Sequence, residues 1–336
     1  MSSSLKKIIF LFLFLLQFFN LSASEYVEIK ISKLHGLISF GESIMKTPYS
    51  LKSFQNIYNQ KYGNNKLSQE KLFELTKSYD SIKTKRVYEY KKNINFYNMI
   101  KIESVVAENL DELKKISISY KNSVDDNSTY TYFEMLKYFL PIYEELIWNS
   151  NEQKLKLKSQ EIKKAMESAD YDQLIVKAAH FYGVKKNNID KIYLVLYPIP
   201  DGDKTLAFML GDVESIGVLV NKPKSNIAWL LSATIFHEIA HTIYDKNKEQ
   251  ITSYFKNSKH ASTGKVKNIF NESTATAIGA GWAFYKVSGG LHSNGKWYNN
   301  QEYDAFAKKI YPHVAKYISE EKSIDQSFID SIIELY

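Results

Sequence analysis

The chain has 336 residues, a formal net charge of +7 and no cysteine. That length can bury a sizeable core in one large or two modest domains. The lack of cysteine excludes disulfides, thiolate metal ligands and a cysteine nucleophile, so any transition metal must be held by His, Asp or Glu. The positive charge is nearly all lysine, scattered among Asn, Ile and Tyr, and Arg86 is the only arginine. Without arginine's planar fork or a basic stripe, the composition argues against a nucleic-acid partner.

In chain order, Lys6 and Lys7 precede an apolar run from Ile8 to Phe19, and small residues follow at Ser22, Ala23 and Ser24. This is the three-part pattern of a secretory signal peptide cleaved near Ser24, and it predicts an exported chain, periplasmic or secreted. The run is shorter than the ~20 residues of a membrane-spanning helix; an uncleaved N-terminal anchor is the alternative. Residues 1–24 carry two lysines and no acid, so cleavage would lower the charge from +7 to +5. No later segment is apolar enough to span a membrane.

YVEIKIS (26–32) alternates and reads as a strand. Helical spacing dominates from Lys33 to about Asp170. LSQEKLFELTKSY (67–79) has Ser68 as a cap, the helix over 130–149 should break near Pro141, and 152–168 is a charged helix. KIYLVLYPI (191–199), TLAFMLG (205–211) and ESIGVLVN (214–221) read as three strands with turns at 201–203 and Gly211–Asp212. A helix at 226–245, a polar connection, a helix at 268–287, a Gly/Asn-rich loop (289–300) and two final helices complete the pattern. The expected class is α+β, mostly helical, with a helical N-terminal region (25–165) and a second domain (166–336) holding a small sheet.

Inside the 226–245 helix lies His237-Glu238-Ile239-Ala240-His241. Histidines at i and i+4 share a helix face and can grip one ion, with zinc taking neutral imidazole readily. Glu238 is offset by ~100°, so it can sit beside the metal without ligating it and act as general base toward a water acidified by the ion. Ile235, Phe236, Ile239 and Ile243 gather on the opposite side, and Glu238 is the only charged residue between Asn226 and Tyr244. An uncharged His face suits a cleft-lining helix better than an open surface. A zinc site needs a third ligand. The candidates are Glu272, His260, His292 and His313; Glu272 in NESTATAIGAG is preferred, because the small residues after it let its helix pack close to the His helix. The competing reading has Glu272 favouring its own helix N-terminus, capped by Asn268 or Asn271.

HEIAH followed by Asn271-Glu272-Ser273-Thr274-Ala275 resembles the zincin metallopeptidases, in particular the gluzincin arrangement with a glutamate third ligand. The resemblance covers roughly residues 190–290. It implies a zincin-like domain with an HExxH active-site helix, one zinc per chain held by His237, His241 and Glu272, and Glu238 as catalytic base. It further implies an edge strand, placed at 214–221, that binds a peptide or protein substrate in extended form. A Tyr or His would stabilise the oxyanion; His292, in GGLHSNG, is the first choice, and Tyr298, Tyr303 and Tyr311 remain open. In the best-known members an acid one turn after the glutamate orients a metal-bound His, but here that position holds Thr276. Two further readings stand beside the peptidase: a catalytically inactive binding protein on the same fold, and a zinc hydrolase of a non-peptide amide or ester.

Overall fold

The computed structural model describes residues 24–47, 50–63, 69–87, 94–120, 126–200, 206–220, 227–260 and 262–336. The apolar run expected as a signal peptide, Ser68 and the turn expected at 201–203 lie outside them. The chain begins with β1 (Val27–Ile31), α1 (Lys33–Ile44), α2 (Lys52–Tyr62) and α3 (Gln69–Thr84), followed by the short strands β2 (Arg86–Val87) and β3 (Ile94–Asn95). Then come α4 (Phe96–Glu103), α5 (Leu110–Ser119), a long helix α6 (126–168) and α7 (Tyr171–Phe181). Caps mark several starts: Ser32, Asn95 and Asn109 each accept a backbone N–H three residues on. The class is α+β and mostly helical, as the periodicity predicts.

Helix α6 does not break at Pro141. Its α-helical part (Asp126–Tyr143) passes through the proline, widens into a π segment (Glu144–Trp148) and continues as Asn149–Ser168. The π segment begins three residues after the proline, and the helix continues through both without a stop. The two helices expected at 130–149 and 152–168 are therefore one.

The sheet comprises β4 (Ile192–Ile199), β5 (Leu206–Leu210) and β6 (Val213–Leu219) together with β1, in the order β1-β4-β6-β5. β1, β4 and β6 are parallel, and β5 turns back antiparallel on β6 through Gly211, whose φ of 68° suits glycine. This corrects the edge-strand assignment. β6 is paired on both sides, and the edge is β5, because the tight turn at Gly211–Asp212 folds β5 outside β6. Strand β1, far upstream, completes the sheet, and α6 runs across position 165, so the first half of the chain packs directly on the second.

After the sheet come α8 (227–257), α9 (263–287), α10 (Gln301–Ser319) and α11 (Gln326–Leu335). Helix α8 extends well beyond 245 into the lysine-rich segment expected as a connection, with one non-helical residue at Asn247. There the Asn247 amide donates to the Tyr182 carbonyl at 2.8 Å. No helix among the described residues is long and apolar enough to cross a membrane.

Candidate metal centre

The site is built where α8 and α9 meet. Both helices contain a π segment, Leu230–Phe236 in α8 and Ala277–Ala283 in α9, and these two segments pack on each other. On the core side Ile235, Phe236, Ile239 and Ile243 are buried, as the apolar spacing requires. Phe236 packs edge-on against Tyr171, whose hydroxyl donates to the Leu231 carbonyl at 2.6 Å and ties the π segment of α8 to α7. Close approach depends on Gly279. A Cβ there would lie 2.8 Å from the Ser232 carbonyl oxygen and 3.1 Å from the His237 nitrogen. The small-residue run therefore does what bulkier side chains would prevent.

On the other side of this contact the buried His237 and the half-buried His241 and Glu272 converge, the one group of three His or acidic residues placed to share an ion among the described residues. His237 Nε2 lies 3.1 Å from His241 Nε2 and 2.9 Å from Glu272 Oε1, and His241 Nε2 lies 3.5 Å from Glu272 Oε2. A tetrahedral ion with ligand bonds of about 2.0–2.1 Å has donor-to-donor edges of about 3.3 Å. The three side chains thus fit zinc both in chemistry and in spacing. Burial opposes ionisation of Glu272, yet hydrogen bonds and charge from the two histidines hold its carboxyl well below the usual range. Burial likewise works against charge on His241, but Glu272, Glu238 and Asn271 together pull its pKa upward.

His241 Nδ1 lies 3.1 Å from Asn271 Oδ1 and can donate to it. That bond fixes the tautomer and leaves Nε2 facing the cluster. Asn271 thus takes the orienting role that Thr276 does not; the Thr276 hydroxyl is buried with no hydrogen-bond partner. Helix α9 starts at Thr263, so Glu272 sits mid-helix and neither Asn268 nor Asn271 caps it.

Glu238 is half-buried beside the cluster. Behind it on β6, Glu214 is fully buried and neither carboxylate oxygen has a hydrogen-bond partner. Burial first, then the charge of Glu238, pushes its pKa well above the carboxylate range.

The remaining expectations separate cleanly. His292 is exposed and its ring rests against Tyr285, with centroids 4.7 Å apart and no described contact to the cluster. The Gly/Asn-rich loop brings a different residue to the His–His–Glu cluster. Tyr298 stacks on His237 with ring centroids 5.7 Å apart and planes 21° from parallel. Burial and the neighbouring Glu272 carboxylate push the Tyr298 pKa up. Tyr303 stands behind Tyr298 and Tyr311 lies under Trp297. His260 pairs with Glu334 at 3.9 Å, and His313 sits in α10 outside the ligand group. The sequence alone offers Asn271 only as a cap, whereas the close approach at Gly279 is the one its small-residue run implies. The adjacency of Asn271 to Glu272 was the one available signal for its contact with His241. No protein-family model matches the chain, and no curated protein or solved structure matches it either.

Proposed function

We propose that this protein is an exported, zinc-dependent metallopeptidase with a zincin-like domain. The observation that carries the reading is the His237–His241–Glu272 triangle, whose edges match a tetrahedral ion. Zinc, when bound, would supply a Lewis acid for a carbonyl oxygen and lower the pKa of a water. His237, His241 and Glu272 would hold it, with Asn271 orienting His241. Glu238 takes the water proton and delivers it to the leaving amine; its place beside the ligands, and not among them, suits that task. The Tyr298 hydroxyl replaces His292 as donor to the developing oxyanion. An extended peptide would hydrogen-bond along β5, whose outer edge is unpaired among the described residues. The apolar run before Ser24 would export the chain.

The test is metal content per chain in wild type and Glu272→Ala, paired with cleavage of fluorescein-labelled casein by wild type and Glu238→Gln. About one zinc in the wild type, much less in Glu272→Ala, and zinc without cleavage in Glu238→Gln are the expected results. A wild type that takes up no zinc on incubation with the metal overturns the reading.

A further inference from the structure

Tyr298 is carried by a loop, and loops do not hold a hydroxyl in place unaided. The loop leaves α9 through Gly289 and Gly290, both with positive φ, 74° and 99°. These residues reverse the chain without themselves holding it against the site. The constraint comes from the other end. In the first turn of α10, Asp304 Oδ1 accepts the backbone N–H groups of both Trp297, at 2.6 Å, and Tyr298, at 3.0 Å. Its second oxygen, Oδ2, pairs with Lys308 Nζ at 2.8 Å, one helical turn on.

A second anchor acts on the preceding side chain. The Trp297 indole N–H donates to the Ser293 carbonyl at 3.1 Å, and its ring meets Tyr311 edge-on at 5.5 Å. The ring also reaches the π segment of α9, where a Cβ on Gly281 would lie 3.1 Å from it. The loop backbone is thus clamped from α10 at the residue that stacks on His237.

We propose that Asp304 is a positioning residue of the site: it clamps the Trp297–Tyr298 backbone so that the Tyr298 ring stays on His237 and its hydroxyl stays in reach of the reacting carbonyl. This rests on the metallopeptidase reading for its catalytic consequence, though the clamp itself does not. Asp304 touches neither ligand nor substrate and acts only through Tyr298. A displacement of about 1 Å in a reacting group costs up to about 100-fold in rate, so a clamp on the backbone of Tyr298 itself is worth nearly as much as the hydroxyl it holds.

The experiment is a double-mutant cycle on zinc-loaded protein with fluorescein-labelled casein: Asp304→Ala, Tyr298→Phe, the double variant, and Asp304→Asn. The expected result is a fall in kcat of about 10- to 100-fold in Asp304→Ala, with KM and zinc content near wild type. The double variant should be no slower than Tyr298→Phe, and Asp304→Asn, which keeps a carbonyl acceptor for the two N–H groups, should recover most of the rate. Multiplying losses in the double variant, or full activity in Asp304→Ala, overturn the proposal. Amide hydrogen exchange across 290–303 gives a readout independent of activity. Protection at Trp297 and Tyr298 should be lost in Asp304→Ala and largely kept in Asp304→Asn, with His237 and His241 unchanged. If wild type cleaves no casein yet this pattern holds, the clamp stands and the peptidase reading fails; unchanged protection in Asp304→Ala sinks the clamp whatever the activity. Should Asp304→Ala fail to fold, the Asp304→Asn and Tyr298→Phe pair still decides: an Asn variant as slow as Tyr298→Phe, with its loop still protected, overturns the proposal.

Discussion

Two histidine clusters sit on opposite faces of the same sheet, and they have opposite characters. Successive residues of a strand point to opposite faces, and on β6 Glu214 lies toward Glu238 and the α8–α9 site while Ser215 faces α1. There His35 Nε2 meets Ser215 Oγ at 2.7 Å, and Nδ1 meets Ser104 Oγ at 3.0 Å and the Lys101 carbonyl at 3.2 Å. Next to it the Lys101 ammonium and Glu42 carboxylate form a buried pair at 3.0 Å, joined by the Tyr79 hydroxyl. A Ser–His contact of that length invites a nucleophile reading. Its burial refutes it: His35 is 0 % exposed and both ring nitrogens are occupied. In the α8–α9 cluster the two Nε2 atoms and a carboxylate point at one another on a partly open surface. A binding site is marked by converging, accessible lone pairs; a structural polar cluster is marked by pairing that leaves nothing over.

This contrast predicts different losses on the two faces. The largest is expected for His237→Ala, which removes a proposed ligand. Zinc affinity should fall by more than about 1000-fold, measured by competition with a chelator, while the urea midpoint of the metal-free protein moves little. A metal-free variant much less stable than wild type would make His237 a structural residue like His35. The mirror experiment is His35→Ala. It should cost about 3 kcal/mol, since it empties a packed site and leaves Ser215, Ser104 and a carbonyl without partners. Zinc uptake by the folded fraction should be unchanged.

The pH dependence sharpens the same contrast. Burial first, then the Lys101 charge, pushes the His35 pKa down to about 3 from 6.5. The unfolded chain therefore binds this proton at higher pH than the folded one. The stability His35 contributes is complete above pH 6.5 and is lost progressively as pH falls toward 3. At pH 5 the loss from this residue alone is about 2 kcal/mol. Urea unfolding of wild type and His35→Gln at pH 7 and pH 5 measures it; equal slopes in the two proteins would rule out the assignment.

Smaller effects are expected around the candidate metal centre. Asn271→Ala should weaken zinc about 10- to 100-fold by freeing the His241 ring, whereas Asn271→Asp, which still accepts from Nδ1, should stay near wild type. Equal affinity in all three would remove Asn271 from the site. Gly279→Ala drives a methyl against the Ser232 carbonyl and should cost about 1–2 kcal/mol of stability, with a modest loss of zinc affinity as α8 and α9 are forced apart. An unchanged thermal midpoint would mean that the helices yield without cost.

Much of this was legible from local pattern. Helical and strand periodicities located most of the elements, because burial on one face imposes spacing directly on the sequence. HEIAH announced two histidines on one face because i and i+4 meet on any helix, whatever surrounds it. Glu272 required an argument about packing: the small residues that follow it, interrupted only by Ile278, let its helix approach the His helix, and the structure brings its carboxylate to both histidines.

What the sequence by itself determined is therefore local: the α+β class, the helix bearing His237 and His241, and the small-residue face that follows Glu272. The tertiary structure decided the rest. It placed β5 and not β6 at the sheet edge, joined β1 to β4 across nearly half the chain, set Tyr298 and not His292 against His237, and gave Asn271 and Asp304 their partners. The physical reason is range: helix spacing acts over one or two turns, whereas strand order and loop path depend on contacts between residues far apart in sequence, and no short window of sequence encodes them.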